Sequence, residues 1–350
     1  MPPKPSPPSP TPERLLRLIE AMAGQPVVML VDLVADLFIT GTPKRISREA
    51  PVLILSYESE RLVPGGGANA VANVAALGGR PLPLGVVGDD AHGRSLLDAL
   101  RERGVETGGV LVRPGYRTPT KVRILGGGRH AIKQQIVRYD IEQTLELTDG
   151  ERDRFASSLQ GWGREPQVAI LSDYGYGSVV PGMLPLLRSA LGPDATLLCD
   201  SRYRLGSFQG LDGATPNQEE AETLLGSGLD DPDRLETGGR ALRERLGARF
   251  LLITRGSRGM SLFEAGGSAH LPVHGTDQVA DVTGAGDTVI GAFALALAAG
   301  ATPLEATLLA DYAGGVVVMK MGTATLTRDE LRHAVESDAR PLEEIRWARS

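Results

Sequence analysis

Cysteine is almost absent from this chain, since its 350 residues include only one, Cys199. One cysteine cannot close an internal disulfide, and the apolar neighbours of Cys199 in ATLLCD indicate a buried thiol. A chain without disulfides is typical of a reducing compartment. We therefore expect a cytoplasmic protein.

An excess of basic charge and long apolar runs are also missing. The formal net charge is −6, from 37 basic and 43 acidic residues. A nucleic-acid partner needs a basic face, so this balance argues against one and favours a small-molecule ligand. The longest apolar run is too short to span a bilayer, which argues against a membrane partner. The opening MPPKPSPPSPTPE lacks the apolar core of a signal peptide and predicts a disordered, proline-rich tail over residues 1–12.

The rest of the chain, residues 13–345, predicts one main domain, because 41% of the sequence is hydrophobic and can form a large core. Strand-like runs alternate with helical segments, as in VAILSDYG followed by GMLPLLRSALG. This alternation predicts an α/β fold with a mostly parallel central sheet and helices on both faces. Two segments, at about residues 37–63 and 117–140, resemble half-exposed strands instead and predict a small separate β-sheet.

The glycine-rich stretch GGGANA begins at Gly65. It fits the dinucleotide pattern G-x-G-x-x-A, but the preceding SYESERLVP is polar and not a buried strand, and no P-loop motif is present elsewhere. A better interpretation is that the backbone closely approaches a polyhydroxy ligand, with Asn69 and Asn73 on one face of the following helix. The alternative is a tight strand-to-helix turn that needs only small residues.

The stretch DVTGAGDTVIGAFALALAAG, which begins at Asp281, carries the clearest chemical signal. Its small-residue turn exposes N–H groups at a helix start, where an anion is favoured. Asp287 brings negative charge to the same place, and we interpret it as a base. It would accept the proton of an attacking hydroxyl while the amides stabilise a phosphoryl group in transfer. The alternative is that Asp287 only favours the helix start, which contributes about 0.3–1 kcal/mol.

Three other segments supply candidate ligand-binding side chains. Asn217 and Glu220 stand three apart at a helix start and would hold Mg²⁺ through water, unless Asn217 is only an N-cap. The strand LLIT leads into a glycine-flanked loop with Arg255 and Arg258, which suits a polyphosphate. Asp173 ends the strand of LSDYGYG, where it would bind a sugar hydroxyl or simply precede a turn.

Together these motifs resemble the ribokinase-like, or pfkB, carbohydrate kinases. GGGAN and D-x-T-G-A-G-D correspond to that family's two signatures, and Asn217-x-x-Glu220 corresponds to its magnesium motif. The similarity extends over nearly all of the chain beyond the tail. Within the family the sequence is most similar to the kinase domains of bacterial D-glycero-β-D-manno-heptose 7-phosphate kinases. The segments that carry this similarity include Arg45-Ile46-Ser47, TKVR from Thr120, QQIVR from Gln134, LSDYG from Leu171 and GTAT from Gly322.

The resemblance implies an ATP- and Mg²⁺-dependent kinase with a small β lid. Its acceptor would be the anomeric (C1) hydroxyl of D-glycero-D-manno-heptose 7-phosphate, and its product the 1,7-bisphosphate of the ADP-heptose pathway to lipopolysaccharide. In this family the lid often contributes to a homodimer. Whether a monovalent cation binds beside the Asp281 loop is left open by the resemblance. No nucleotidyltransferase sequence follows the kinase segment, so a fused form is not expected.

The resemblance also implies residue roles. Asp287 would deprotonate the acceptor beside an anion hole formed by Thr283, Gly284, Ala285 and Gly286. The sugar would be held by Asp32, Gly65, Gly66, Asn69 and Asp173. The nucleotide and its Mg²⁺ would be held by Asn217, Glu220, Thr254, Gly256 and Gly259. The phosphate already on the sugar would be held by Arg45, Arg123, Arg138 and Arg202, because arginine pairs with phosphate bidentately.

The sequence departs from the family on the sugar-phosphate side. Tyr176 stands where lysine is usual, and Asp200-Ser201-Arg202 replaces Asp-Pro-Lys, which changes both charge and donor geometry. Two alternatives therefore stay open. One is a kinase of the same family for another sugar, sugar phosphate or nucleoside. The other is a catalytically silent sensor of a sugar or nucleotide, although the presence of Asp287 argues against a sensor, which needs no base.

Overall fold

The computed structural model describes residues 10–128, 133–275 and 280–349. Within these ranges the helices are α1 (Pro12–Ala21), α2 (Gly67–Ala76), α3 (Ala91–Arg101), α4 (Asp149–Trp162), α5 (Leu184–Leu191), α6 (Gln218–Leu225), α7 (Pro232–Arg245), α8 (Ala285–Ala298), α9 (Pro303–Val317), α10 (Arg328–Ser337) and α11 (Arg340–Glu343). The strands are β1 (Pro26–Val31), β2 (Leu33–Ile46), β3 (Leu53–Gly66), β4 (Arg80–Gly88), β5 (Val110–Arg113), β6 (Thr120–Gly126), β7 (Gln134–Ile141), β8 (Val168–Asp173), β9 (Thr196–Ser201), β10 (Gly213–Ala214), β11 (Phe250–Thr254), β12 (Met260–Glu264), β13 (Gly267–Leu271) and β14 (Arg346–Arg349).

The main sheet confirms the predicted α/β architecture. Over the described residues it has ten strands in the order β14-β13-β12-β11-β10-β9-β8-β1-β4-β5. Pairing is parallel from β5 through β11 and antiparallel from β11 to β14. Parallel strands need crossover helices, and these helices cover both faces of the sheet.

The main sheet separates two hydrophobic cores, one on each face. Strand β1 contributes to both of them, because successive side chains of a strand point to opposite faces. Val27, Met29 and Val31 pack with α1, α2, α8 and α9 on one side. Val28 and Leu30 pack with α4, α5 and α7 on the other side. Every residue of β1 is therefore buried, which explains its continuous apolar sequence PVVMLV. Cys199 is buried in the second core, as predicted.

A second sheet, which we call the lid, has the strand order β3-β2-β6-β7. Strand β2 pairs antiparallel with β3 and parallel with β6, and β6 pairs antiparallel with β7. The predicted separate sheet is thus confirmed, and its strands extend past the predicted segments to Leu33, Gly66 and Ile141. The turn expected between β6 and β7 includes residues 129–132, which lie outside the described residues.

The stretch VVMLVDLVADLF has the apolar sequence of one buried strand, but it is divided between the two sheets. Strand β1 ends at Val31 in the main sheet, and β2 begins at Leu33 in the lid. Asp32 lies between them, and its carbonyl oxygen accepts the N–H of Gly67 at 3.2 Å. The lid therefore starts one residue after the central strand of the core.

At the N-terminus, α1 begins at Pro12, capped by the side chain of Thr11. The helix thus includes the end of the predicted tail, while residues 1–9 lie outside the described residues. Within the ranges that the structure describes, no helix is both long and apolar enough to cross a membrane.

Candidate active site

Asp287 lies in the first turn of α8 and is only 2% exposed. The hydroxyl of Tyr174 donates a hydrogen bond to its Oδ1 at 2.8 Å, and Nδ2 of Asn69 donates to its Oδ2 at 3.3 Å. Both hydrogen-bond donors are neutral side chains, so neither of them forms an ion pair with the Asp287 carboxylate. Burial raises the pKa of Asp287 to about 7 despite these donors and the nearby charge of Lys121. A carboxyl group with this pKa can serve as a general base near neutral pH.

The turn before α8 has the geometry of an anion cradle. Gly284 adopts φ +79°, and a Cβ at this position would approach Nδ2 of Asn69 to 2.5 Å. The N–H groups of Gly286 and Asp287 lie in the first helical turn, where no acceptor within the helix is available. The carboxylate of Asp281 fixes the turn by accepting the N–H groups of Thr283 at 2.9 Å and Gly322 at 3.0 Å. The anion hole at residues 283–286 stays a prediction that this geometry suits.

Asn69 links α2 to this turn. Its Nδ2 donates to the carbonyl of Gly284 at 3.2 Å as well as to Asp287. Asn73 lies one helical turn further and donates to the carbonyl of Asn69 at 3.0 Å and to its Oδ1 at 3.2 Å. The two asparagines do share a helix face, but they orient the base and its turn. Binding of the sugar by Asn69 stays a prediction.

Asp32 has a structural role that the sequence did not indicate. It is fully buried, and its carboxylate accepts the N–H groups of Tyr174 at 3.0 Å, Tyr176 at 2.9 Å and Ser178 at 2.9 Å. Burial raises its pKa to about 6. With its two oxygens accepting three main-chain N–H groups, Asp32 anchors the loop of residues 174–178, and its role as a sugar ligand stays a prediction.

Asp173 is also held by structural hydrogen bonds, and binding of a sugar hydroxyl by it stays a prediction. Nη2 of Arg204 lies 2.5 Å from its Oδ1, and the hydroxyl of Ser201 donates to its Oδ2 at 2.7 Å. The N–H of Gly175 donates to Oδ1 at 3.0 Å. The turn alternative for Asp173 is therefore the better description, with Arg204 compensating its buried charge.

The carboxylate that does lie at the base of the lid is Asp36, which the sequence reasoning missed. It is 2% exposed, and it accepts hydrogen bonds from Nη1 of Arg123 at 2.6 Å and the hydroxyl of Thr323 at 2.7 Å. A Cβ on Gly65 would lie 2.6 Å from its Cγ, so Gly65 is needed for the close approach of β3. At Gly66, φ is +50°, and a Cβ there would lie 2.8 Å from Val34. Both glycines thus serve packing.

A cavity of about 470 Å³ lies between the lid and the main sheet, next to Tyr174. Its lining residues come from β6, from β7 and the segment after it, and from the loops after β8 and β9. The residues are Lys121, Arg138, Asp140, Glu142, Gln143, Thr144, Tyr174, Gly175, Tyr176, Arg202 and Tyr203. A larger cleft of about 760 Å³ between residues 113–116 and 143–149 is lined by neither Tyr174 nor Asn69, the two side chains that donate to Asp287, whereas Tyr174 does line the smaller cavity. The smaller cavity is therefore the candidate acceptor site.

The four predicted phosphate-binding arginines have different environments. Arg123 is paired with Asp36, and Arg138 forms a bidentate pair with Asp140 at 2.8 and 2.5 Å. Arg202 lines the cavity, with its guanidinium 5.8 Å from the ring of Tyr203. Arg45 is exposed near the far end of β2, about 30 Å from the Asp36 position at ~3.3 Å per strand residue. Arg45 therefore cannot reach the site of its own chain, contrary to the prediction.

Of the eleven cavity residues, only Arg138 and Arg202 were among the predicted ligands, and Lys121 and Tyr176 are two of the nine that were not. Nζ of Lys121 lies 5.1 Å from the ring centroid of Tyr174, and burial lowers the pKa of this lysine. Tyr176 donates its hydroxyl to Oε1 of Glu142 at 2.9 Å. Lys121 lies in the TKVR segment, which was predicted as a half-exposed strand. Because side chains alternate between the two faces of a strand, this alternation could have identified Lys121.

On the other side of Asp287, a β-bridge joins Asn217 to Thr254. Oδ1 of Asn217 accepts the N–H of Glu220 at 2.9 Å, and Oε2 of Glu220 accepts the N–H of Asn217 at 2.9 Å, so the two residues cap α6. The Mg²⁺ role of the same two side chains stays a prediction. Burial raises the pKa of Glu220. Gly256 and Gly259 adopt φ +57° and +78°, and a Cβ on Gly259 would lie 2.0 Å from the carbonyl oxygen of Leu271.

Asn217 and Glu220 fit Mg²⁺ only if the ion takes few of its ligands from the protein. Among the described residues there is no group of three or more His, Cys, Asp or Glu side chains suited to a metal ion. Magnesium bound with a nucleotide usually keeps several waters and uses one or two carboxylates. The remaining Oε1 of Glu220 and the second lone pair of the Asn217 amide oxygen fit such an arrangement.

Arg258 is held by Asp230 at 2.8 Å and by Gln218 at 2.8 Å.

A main α/β sheet with a β lid, and a buried acid beside a helix-start turn, define the class of ribokinase-like sugar kinases. The chain belongs to the pfkB family of carbohydrate kinases, which it matches over residues 28–152 and 185–330. It is 38% identical over 335 residues to the bifunctional protein HldE of Mesorhizobium japonicum, covering 93% of this chain and 65% of that protein. It is 40% identical over 318 residues to the HldE of Nitrosococcus oceani, covering 89% and 64%. The chain thus spans about two thirds of the length of these relatives.

Solved structures share the fold. Arabidopsis thaliana ribokinase complexed with ribose and ATP has a TM-score of 0.70 at 21% identity, covering 90% of this chain and 100% of that one. Escherichia coli phosphofructokinase-2 in complex with fructose-6-phosphate has a TM-score of 0.68 at 19% identity, covering 90% and 98%. The predicted fold is therefore confirmed.

Proposed function

We propose that this chain is an ATP-dependent kinase that phosphorylates the anomeric (C1) hydroxyl of D-glycero-D-manno-heptose 7-phosphate to the 1,7-bisphosphate. The observation that carries the proposal is Asp287, a buried carboxyl with a pKa of about 7 beside the turn at Gly284. The identity of 38–40% to HldE proteins supports the choice of sugar. We place the reaction in the cytoplasm, in keeping with the lack of disulfides.

The proposed step is an in-line transfer. The C1 hydroxyl gives its proton to the Asp287 carboxylate as its oxygen forms a bond to the terminal phosphorus of ATP. The bond from that phosphorus to the bridging oxygen breaks, and ADP leaves with the electron pair. The N–H groups at the start of α8 stabilise the charge on the transferring group. Mg²⁺, held through water by Asn217 and Glu220, would neutralise phosphate charge, and a monovalent cation beside Asp281 is a further part of the proposal.

Two cations in the cavity support an acceptor that already carries a phosphate. Lys121 and Arg202 have no carboxylate partner within 4.0 Å among residues 10–128, 133–275 and 280–349. Burial lowers the pKa of Lys121, and the charges of Arg138 and Arg202 add to this, whereas those of Asp36 and Asp287 act in the opposite direction. An anionic group between Lys121 and Arg202 would relieve this repulsion. We therefore assign the sugar phosphate to these two residues rather than to Arg45, Arg123 or Arg138.

The lid also supports a proposed homodimer. It exposes large apolar side chains, with Ile46 67%, Tyr57 64% and Tyr139 50% exposed. A second copy of the chain that packs on this sheet would bury them. Arg45, at the same far end as Ile46, would then lie in the interface.

The test of the proposed function is ADP release across a panel of acceptors, with the product identified by ³¹P NMR. We expect turnover with heptose 7-phosphate and a new anomeric phosphate signal. Unphosphorylated heptose serves as the matched control and should be a poor acceptor. Preference for another sugar or a nucleoside would contradict the heptose assignment, and ligand binding without ADP formation would favour a silent sensor.

A further inference from the structure

The base is connected to the lid through two side chains. Lys121 projects from lid strand β6, its Nζ 5.1 Å from the ring centroid of Tyr174. Tyr174 lies in the loop after β8, and its hydroxyl donates to Asp287 at 2.8 Å. The lid, the core loop and helix α8 thus meet along a line of three residues.

We propose that Tyr174 and Lys121 are positioning residues for the base, and that Lys121 makes the ionisation of Asp287 depend on the position of the lid. This inference rests on the proposed phosphoryl transfer, but it is independent of which sugar is the acceptor. Neither residue touches the reacting atoms in the proposed step.

Tyr174 is well suited to hold the carboxylate. Its N–H is bonded to Asp32 at 3.0 Å, and its ring lies against Gly66, where a Cβ would come within 3.3 Å of Cε2. Burial and the charge of Asp287 raise the pKa of Tyr174 well above its ordinary value, so the hydroxyl remains a donor. A hydrogen bond donated to a carboxylate favours its ionised, proton-accepting form.

Lys121 adds an electrostatic contribution that belongs to the lid. Charged groups facing Asp287 are Lys121 from β6, Asp36 from β2 and Asp200 at the end of β9. Lys121 lowers the pKa of Asp287, whereas Asp36 raises it. Because Lys121 is carried by the lid, moving that strand away removes the cation that favours ionisation. At neutral pH the base would then be mostly protonated, which would suppress proton abstraction from water.

The test is the pH dependence of kcat/KM from pH 5.5 to 9.5, measured with the best acceptor. We expect Tyr174→Phe and Lys121→Met each to move the acid limb upward by about one pH unit. For Tyr174→Phe, kcat/KM at pH 6 would then fall about tenfold and recover towards the wild-type value at pH 9. Lys121→Met also removes the proposed contact to the sugar phosphate, so its shifted limb should belong to a profile that is lower at every pH. Lys121→Arg keeps the charge and should keep the wild-type limb. The exposed Arg117, just before β6, provides the matched control Arg117→Met, which should leave the profile unchanged.

A direct titration separates positioning from loss of structure. Aspartate labelled with ¹³C at the side-chain carboxyl reports ionisation by NMR, and the Asp287 signal is assigned by its absence in Asp287→Asn. A higher Asp287 pKa in both variants than in the wild type supports the inference, and an unchanged pKa or acid limb overturns it. A wild-type chain inactive with every acceptor would overturn the proposed function, while the NMR titration would still decide the positioning role.

Discussion

Replacing Asp287 by asparagine should remove turnover and also change how stability depends on pH. Burial moves the pKa of this carboxyl from 3.8 to about 7. At about 1.4 kcal/mol per pKa unit, ionising it in the folded state costs about 4 kcal/mol in total. Because the folded pKa is raised, the stability is present below the unfolded pKa near 4 and is lost as pH rises to about 7. About 3 kcal/mol of this loss falls between pH 5 and pH 8.

Asparagine cannot ionise, so the variant escapes that loss. Its amide oxygen can still accept the Tyr174 hydroxyl, but its NH₂ group would face Nδ2 of Asn69. Two opposed donors in a buried place cost about 1–3 kcal/mol, and this cost does not vary with pH. The diagnostic quantity is therefore the change between pH 5 and pH 8 in the stability difference between variant and wild type.

Thermal unfolding at the two pH values measures this change. For 350 residues, about 3 kcal/mol corresponds to ~4 °C in Tm, and the variant should gain this much on the wild type between pH 5 and pH 8. Asp32 and Asp311, with pKa values raised to about 6 and about 8, are present in both proteins and cancel. Asp194→Asn, at an exposed acid, is the control and should follow the wild type. A Tm difference that is the same at both pH values would refute the burial argument.

Two more substitutions test structural roles. Asp32→Ala would leave the N–H groups of Tyr174, Tyr176 and Ser178 without their acceptor, so the free energy of unfolding in urea should fall by about 3 kcal/mol or more; an unchanged stability would restore Asp32 as a free sugar ligand. Gly259→Ala would force a Cβ to within 2.0 Å of a carbonyl oxygen at φ +78°, so a loss of several °C in Tm is expected, whereas an unchanged Tm would contradict the close packing described for this turn.

The alternation of strands and helices and the turn before Asp287 could be predicted because both depend on local patterns. The roles of Asp32 and Asp36 could not. Both acids follow apolar residues in one run, and nothing local indicates that the chain changes sheets between them. The role of Asp32 depends on three N–H groups about 140 residues further along the chain, which only the tertiary fold brings together.

The arginine pairings also differ in how far the sequence could have predicted them. Arg138 and Asp140 are two apart on a strand and therefore share a face, so their pairing could have been inferred from the sequence. The partner of Arg123 is Asp36, and that contact depends on the register of β6 beside β2. The sequence indicated that cations would gather near the site, but not which of them remain without a carboxylate.

The joins between the lid and the core have a mechanical consequence. Two of the four connections are tight, because only Asp32 separates β1 from β2 and β3 runs into α2 without any intervening residue, whereas residues 114–119 and 142–148 form the other two. There is no slack at either of the tight joins, so a swing of the lid must be taken up by backbone rotation at residues 31–33 and 65–67. Those same peptides border Asp36 and the ring of Tyr174. Opening of the lid would then also separate the residues around Asp36 and Tyr174. A residue stiffer than glycine at position 66 should slow both changes.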